Sequence, residues 1–435
     1  MSARHPYATE PSVKFKLPTL AESRVGTNQT PGKKPDQKPR RLRRLNICLL
    51  IPTLQSGGAE RVCSLLASHW ARSGHHVTLM TFSESSSDAF AVSPFVNRVV
   101  LSGEEITSDW WRTGTKNVSR LLALRAQLVK SKADVALSFM SVPNVLLAIA
   151  GLGLPTACIG AERTYPPAVT LPKLAEWSRW VAYGWLDTVV GLTDESAAWL
   201  QKHTLAKAVA VIPNPVVLPL TSGLPTCDPH QLRLANSHLL LAAGRLSSEK
   251  NFENLIRAFA AASRHLTARN LTSSKLTNQP ANRPWQLVIV GEGPLRPDLE
   301  ALIQQLDIRE QVLLPGRVGN MADWYSAADA FAMTSAFEGY PNALLEALAH
   351  GVPAVACDCL TGPSELIHDG INGLLVAPDS PLDLQAALSR LMGDGELRAS
   401  MASHADITVQ AHAIEGISER WEAVFSRSMA VKGYA

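Results

Sequence analysis

The chain has 435 residues, 46% of them hydrophobic and 18% charged, with a formal net charge of +3. That length exceeds one ordinary domain and that composition excludes wholesale disorder, so two well-buried globular domains are expected. The small net charge hides an asymmetry: residues 1–44 carry eleven Lys/Arg against three Asp/Glu, which leaves the remainder acidic.

Residues 1–44 end in the run Lys38-Pro39-Arg40-Arg41-Leu42-Arg43-Arg44 and, with their Pro, Ser and Thr content, read as a disordered basic arm. Such runs are usually solvated tails; nucleic acid or an anionic membrane surface are the partners open to it. It has no apolar h-region, so it does not read as a secretory signal.

A strand, a glycine-rich turn and a helix open the first half, expected over 45–215. Leu45 to Ile51 is an apolar run suited to a buried parallel strand. It feeds Gly57-Gly58-Ala59-Glu60-Arg61, after which Val62, Leu65, Leu66 and Trp70 keep helical spacing; His76 to Met80 gives the next strand. Ala133 to Phe139, Thr156 to Ile159 and Thr188 to Leu192 read as further strands, with helices over Val145 to Ala150 and Lys173 to Leu186. The apolar stretch Val142 to Ile159 is punctuated by Pro143, Gly151, Gly153 and Pro155, so a helix followed by a strand explains it better than a membrane span. Trp177, Trp180 and Trp185 are expected to fill the core between helix and sheet; with Trp110, Trp111 and Arg112, a bilayer-interface role is the alternative.

Val211-Ile212-Pro213-Asn214-Pro215 closes this half, and 216–237 reads as a linker. The second half, expected over 238–412, restarts the pattern with a strand at Leu239 to Ala243, the turn Gly244-Arg245 and a helix at Asn251 to Arg264. Residues 265–284 lack any period and read as a surface insertion. Strands follow at Gln286 to Val290, Val312 to Leu314, Ala330 to Met333 and Ala354 to Ala356. The last helix, within 413–435, is expected to reach back to the first half. The six cysteines form no CxxC pair, and Cys357 and Cys359 flank Asp358 without metal-ligand partners; all six read as buried thiols of a reducing cytoplasm.

The segment Ser335 to Pro353 carries the strongest chemical signal. A strand ends near Thr334 and Pro341 falls where a helix begins, at its first position. The amides of Asn342, Ala343 and Leu344 would then face a cleft with the positive end of the helix dipole, which suits a pyrophosphate. Glu338 precedes that end. Glu346 lies one turn inside on the face of Asn342, where a carboxylate can accept hydrogen bonds from vicinal hydroxyls. Two glutamates eight positions apart are by themselves ordinary surface residues; their mostly apolar surroundings between two glycines make burial without partners costly. Gly244-Arg245-Leu246-Ser247-Ser248-Glu249-Lys250 offers a guanidinium fork and a point charge that together can neutralise a diphosphate, although a solvated loop would also carry them.

The order Gly244-Arg245…Lys250, Gly291-Glu292-Gly293, Glu338-x7-Glu346 and Gly362-Pro363-Ser364-Glu365 resembles the retaining glycosyltransferases of the GT-B fold, family 4, over about residues 45 to 430. The resemblance implies an α/β architecture of two Rossmann-like, doubly wound domains facing a cleft. It implies that Arg245 and Lys250 contact the donor diphosphate, that Glu346 holds the ribose hydroxyls and that Glu338 lies by the transferred sugar. Gly316 to Val318 would line the base pocket, Gly291 and Gly339 would belong to the donor site, and Gly57 and Gly58 would face the phosphates and acceptor. Gly160-Ala161-Glu162-Arg163-Thr164 is similar to members that build bacterial exopolysaccharide or lipid-linked glycans, which makes Glu162 and Arg163 acceptor-side candidates. A catalytic histidine stays unassigned, with His75 and His76 read as strand-edge residues.

The resemblance further implies a UDP-sugar donor, a lipid-linked or polysaccharide acceptor, no nucleic-acid partner and no resident cofactor or metal. The protein would be cytoplasmic, with a peripheral position on the inner face of the plasma membrane open to it. Front-side transfer asks the protein for orientation and for charge stabilisation on the leaving group; Glu338 as a transient nucleophile is the lesser alternative. An epimerase or an inactive donor-binding scaffold would share the architecture.

Overall fold

Apolar runs without alternation, such as Leu239-Leu240-Leu241-Ala242 and Leu287-Val288-Ile289-Val290, build strands buried on both faces, and these assemble into two all-parallel sheets. The computed structural model describes residues 43–55, 57–102, 114–169, 171–277 and 283–433. In the first half the strands are β1 (Asn46–Leu50), β2 (His76–Thr81), β3 (Asn97–Val100), β4 (Val135–Phe139), β5 (Ala157–Ala161), β6 (Thr188–Gly191) and β7 (Val209–Val211). Their order is β3-β2-β1-β4-β5-β6-β7, with Ile47 of β1 standing between Val77 and Val135.

The second half contains β8 (His238–Ala243), β9 (Trp285–Val290), β10 (Val312–Gly316), β11 (Ala330–Met333), β12 (Ala354–Cys357) and β13 (Gly373–Val376), ordered β10-β9-β8-β11-β12-β13. Numbered within its own half this is 3-2-1-4-5-6, the dinucleotide-fold order, and the first half repeats it with one strand added. Each sheet therefore has a topological switch point, between β1 and β4 and between β8 and β11. The glycine turns 57–58 and 244 follow β1 and β8, so both open at these points.

Residues 44–435 form one compact unit. Each sheet has an apolar cluster on either face. One cluster of the first half contains Trp70 together with Ile417, Trp421 and Phe425 of the C-terminal helix Ile414–Val431. Trp70 and Phe425 rings meet edge-on at 5.2 Å, and Trp70 Nε1 donates to Ser418 Oγ at 2.9 Å. Burying such side chains contributes about 1.5–3 kcal/mol each, enough to hold the returning helix. Just before it, Val216 N donates to His412 O at 2.8 Å, so the two segments joining the halves lie side by side.

Several expectations are corrected here. The helix Phe252–Thr277 continues through much of the stretch read as an insertion. A short helix, Pro229–Leu232, interrupts the linker. Cys227 is only half-buried, whereas the other five cysteines are buried. His76 opens β2 and is exposed, but His75 is buried and its Nδ1 accepts from Leu45 N at 3.2 Å. Trp177, Trp180 and Trp185 do not fill the core: they are 57%, 44% and 42% exposed. The face of their helix that packs inward carries Ala175, Arg179 and Ala182 instead. The basic arm up to residue 42 and the Trp110-Trp111-Arg112 run lie outside the described residues.

Candidate active site

The C-terminal ends of both sheets face a cavity of about 380 Å³ whose wall is shared by the two halves. The first half contributes Gly57, Gly58 and Glu60 after β1, Met140 after β4, Arg163 after β5 and Asn214 after β7; the second contributes Lys250, Glu338, Gly339 and Asn342. A larger hollow of about 540 Å³ surrounds Trp285 and Arg398. It lies at the N-terminal ends of β8 and β9, the end of a parallel sheet that ligands seldom use.

Lys250 and Glu338 leave the sheet on opposite sides of the β8/β11 switch point and meet, Nζ to Oε1 at 2.5 Å. Lys250 is held by a tight turn, Ser248–Lys250, that ends in left-handed Asn251 with φ 52°. Thr334 Oγ1 at the end of β11 donates to the carbonyls of Lys250 and Asn251 at 3.0 and 3.2 Å. Glu338 receives Ser335 Oγ at 2.6 Å, and its backbone carbonyl accepts from Thr361 Oγ1. The segment Thr361-Gly362-Pro363 thus buttresses the glutamate loop, and Gly362, at φ +99°, leaves room for Pro341.

Pro341 caps the Asn342–Ala349 helix rather than occupying its first position, and Asn342 N already donates to Tyr340 O at 3.0 Å. Leu345 N donates to Pro341 O at 3.0 Å. Ala343 and Leu344 amides have no backbone acceptor among the described residues and remain as the end's donors. Glu346, one turn on, is buried. Arg61 Nη1 from the first half lies 3.1 Å from its Oε1, and Tyr325 Oη donates to its Oε2 at 3.1 Å. Burial pushes the Glu346 carboxyl above its ordinary range, and Arg61 and then Tyr325 oppose the shift.

Gly244, Gly291 and Gly316 stand at the ends of neighbouring strands, tied by Gly244 N to Val290 O and Gly291 N to Gly316 O, both 2.9 Å. A Cβ on Gly291 would strike the Gly244 carbonyl, so this close approach of two backbones needs glycine. Val318 is half-buried against the apolar cluster beneath. Arg245 is exposed and, like Glu346, Gly291, Gly316 and Val318, does not line the cavity itself.

Arg163 and Glu162, adjacent in sequence, take different places. Glu162 is buried behind the wall, where Ser141 Oγ donates to it at 2.8 Å and Tyr183 Oη also donates. Burial raises its carboxyl; Tyr183, Arg179 and Ser141 oppose that. Arg163 lies on the wall with its guanidinium 5.1 Å from the Phe139 ring centroid and one nitrogen donating to Asn214 Oδ1. Its Nε and Nη1 are buried without a partner among the described residues, and burial pulls its pKa down to about 10.

Asn214 closes the chain of contacts, donating through Nδ2 to Asn342 Oδ1 at 2.6 Å. Met140 at the wall holds φ 79°, a conformation costing about 1–3 kcal/mol for a non-glycine residue. Arg61, Asn214, Met140 and Tyr325 are site residues that sequence reasoning misses. Arg61 directly follows the glycine loop and Asn214 sits between two prolines, and those are the available signals.

With this geometry in place, the chain can be set beside known proteins. Residues 56–218 match the family Glycosyltransferase Family 4, and residues 229–407 match Glycosyl transferases group 1. A curated relative from Campylobacter jejuni is 28% identical over 87% of this chain and 97% of its own length. It is named GalNAc-alpha-(1->4)-GalNAc-alpha-(1->3)-diNAcBac-PP-undecaprenol alpha-1,4-N-acetyl-D-galactosaminyltransferase. An exopolysaccharide phosphotransferase of Streptomyces coelicolor is 34% identical over 55% of this chain, but that match spans only 23% of the relative. Among solved structures, sucrose-phosphate synthase from Thermosynechococcus elongatus superposes with a TM-score of 0.72 at 18% identity, covering 88% of this chain and 99% of the other. HepE of Anabaena in complex with UDP and glucose gives 0.68 at 19%, covering 88% and 100%. At such identities the structural likeness speaks to the fold.

Proposed function

The chain is a glycosyltransferase of the GT-B type, and from that premise we propose a retaining, metal-independent transferase that moves a hexose or N-acetylhexosamine from a UDP-sugar to a lipid-linked oligosaccharide or growing polysaccharide. The observation that carries the reading is the meeting of Lys250, Glu338 and the Asn342 helix end with Gly57, Gly58 and Arg163 around one cavity at the C-terminal ends of both sheets.

In this reading the donor lies on the second half. Lys250 and the amides of Ala343 and Leu344 take the diphosphate, Glu346 the ribose hydroxyls, and the strand-end glycines Gly291 and Gly316 with Val318 the base. Glu338 borders the transferred sugar. An arriving diphosphate competes with Glu338 for the Lys250 ammonium, and exposed Arg245 swings in from the solvent side as a second cation. Bond cleavage places negative charge on the leaving phosphate, and fixed cations and helix amides stabilise it there. The acceptor hydroxyl attacks on the same face as the leaving group. Its proton passes to the departing phosphate oxygen, so the anomeric configuration is kept.

The acceptor enters over the first half. Arg163, with two buried donors lacking a partner, suits an anionic group such as the diphosphate of a polyprenyl carrier. The names and ligands of similar proteins support both sides of this assignment: the Campylobacter enzyme is named for an undecaprenol-diphosphate acceptor, and HepE was solved with UDP-glucose. A carrier of that class would bring the protein to the inner membrane face. The test is a panel of UDP- and GDP-sugars with membrane lipid extract in EDTA, reading lipid-linked product and its anomeric configuration. An α-linked product from a UDP-sugar is expected. A GDP-sugar preference, an inverted product or a strict metal requirement would each remove that part of the proposal, and donor isomerisation without acceptor would point to an epimerase.

A further inference from the structure

The helix Lys173–Ala182 is built inside out for a helix surrounded by water. It buries Ala175, Arg179 and Ala182, spaced i, i+4 and i+7, and turns Leu174, Trp177 and Trp180 outward. Leu174 is 54% exposed and Trp177 57%; past the helix end Trp185 is 42% exposed. Leu205, 49% exposed, extends the patch, because its amide donates to the Trp180 carbonyl at 3.1 Å. Large side chains at helical spacing normally face a core, and a contiguous exposed cluster of this size marks an interaction surface.

The chemistry around the cluster says what it meets. Lys173 lies on the outward arc between Trp177 and Trp180 at a helical pitch of 3.6 residues per turn. Lys202 and Lys207 flank Leu205 three residues before and two after it. All three lysines are exposed and none is ion-paired among the described residues. One exposed carboxylate, Glu176, shares the helix. Asp194 and Glu195 start the helix that ends in His203, about 10–12 Å along its axis from Lys202. Asp187, near Trp185, is already paired with Lys432 at 3.4 Å. Indoles beside unpaired lysines form the pattern of a bilayer interface, where the rings sit at headgroup depth and the ammonium groups meet phosphate.

We propose that Leu174, Trp177, Trp180, Trp185 and Leu205, rimmed by Lys173, Lys202 and Lys207, dock the first half onto an anionic phospholipid surface. The surface begins close to the cavity. Val169 is on the cavity wall, and the helix starts four residues later, within about 14 Å of extended chain. A membrane-held acceptor would thus meet the cleft beside the surface that holds the protein. Docking through exposed indoles and ammonium groups needs no turnover.

The experiment uses the full chain with vesicles of phosphatidylcholine alone and of phosphatidylcholine mixed with phosphatidylglycerol, read by co-sedimentation and by tryptophan emission. Binding to the anionic vesicles is expected, with a blue-shifted emission that brominated lipid quenches. W177S/W180S should weaken it about tenfold or more, and K202E/K207E by a similar factor, with melting temperatures unchanged. Binding that survives W177S/W180S at full strength would assign it to the basic arm and overturn the proposal. Failure to bind anionic vesicles, or absence of quenching in the unsubstituted protein, would overturn it without reference to any variant. A dimer that W177S/W180S dissociates, without vesicle binding, would overturn it in favour of a second copy.

Discussion

Arg61 and Glu346 form an ion pair across the cleft, Nη1 to Oε1 at 3.1 Å, with one residue from each half. An ionised carboxylate accepts about four hydrogen bonds, and Arg61 and Tyr325 account for two. The remaining capacity suits a ribose diol, and Arg61 favours the charged form of Glu346 against its burial as well as holding the halves together. Glu346→Ala should weaken UDP binding about 10- to 100-fold, the scale of charge-assisted hydrogen bonds. Arg61→Met should also weaken it. Without Arg61 burial raises the Glu346 carboxyl further, so the defect should ease as pH rises and the carboxylate re-forms. Titration calorimetry at several pH values checks both.

Lys250 and Glu338 make the second prediction. Lys250→Met should lower kcat by about 10²-fold or more, by analogy with a lost oxyanion donor. Its partner's contact is at the cavity wall rather than in a core, so the melting temperature should change little. Arg245→Met, at an exposed position, should cost less in the same assay. Equal losses at both positions would show that Arg245 moves fully into the site.

Gly339 makes a mechanical test. A Cβ there would run into the carbonyl oxygen of Arg163 in the opposite half. Gly339→Ala should therefore leave each half folded but hold the cleft open. Small-angle scattering should show a larger radius of gyration, and kcat should fall more than UDP affinity.

Glu365 ties closure to pH. Its side chain remains exposed, but loss of surrounding water, then repulsion from Glu195 and Asp194 of the first half, pushes its carboxyl from 4.5 up to about 7. Opening the cleft removes the repulsion from Glu195 and Asp194, so the closed arrangement holds the Glu365 proton to higher pH than the open one. Closure is therefore favoured while Glu365 is protonated, weakens as pH rises toward about 7, and then levels off. Scattering across that interval should show progressive opening, and Glu365→Gln should abolish the trend.

How much of the site is legible in the sequence depends on how local each signal is. Lys250, Glu338 and Glu346 are legible because each stands at a fixed distance from a strand end, a glycine or a helix start. Arg61 and Asn214 acquire partners only when two halves approach, and nothing in their own segments encodes that. The edge strands β3 and β7 escape because neither is buried, so neither carries the continuous apolar run that marks an inner parallel strand. Trp177 and Trp180 mislead for a physical reason: aromatic residues at helical spacing usually mark a buried face, and here the small residues Ala175 and Ala182 do.

The most direct measurement is nucleotide release from a UDP-sugar in EDTA, with and without lipid-linked acceptor, for the unsubstituted protein, Lys250→Met and Glu346→Ala. Release should require the acceptor, survive EDTA and fall at least about 10²-fold in Lys250→Met. Release that continues unchanged in both variants, or UDP binding without transfer to any acceptor, would contradict the proposed function.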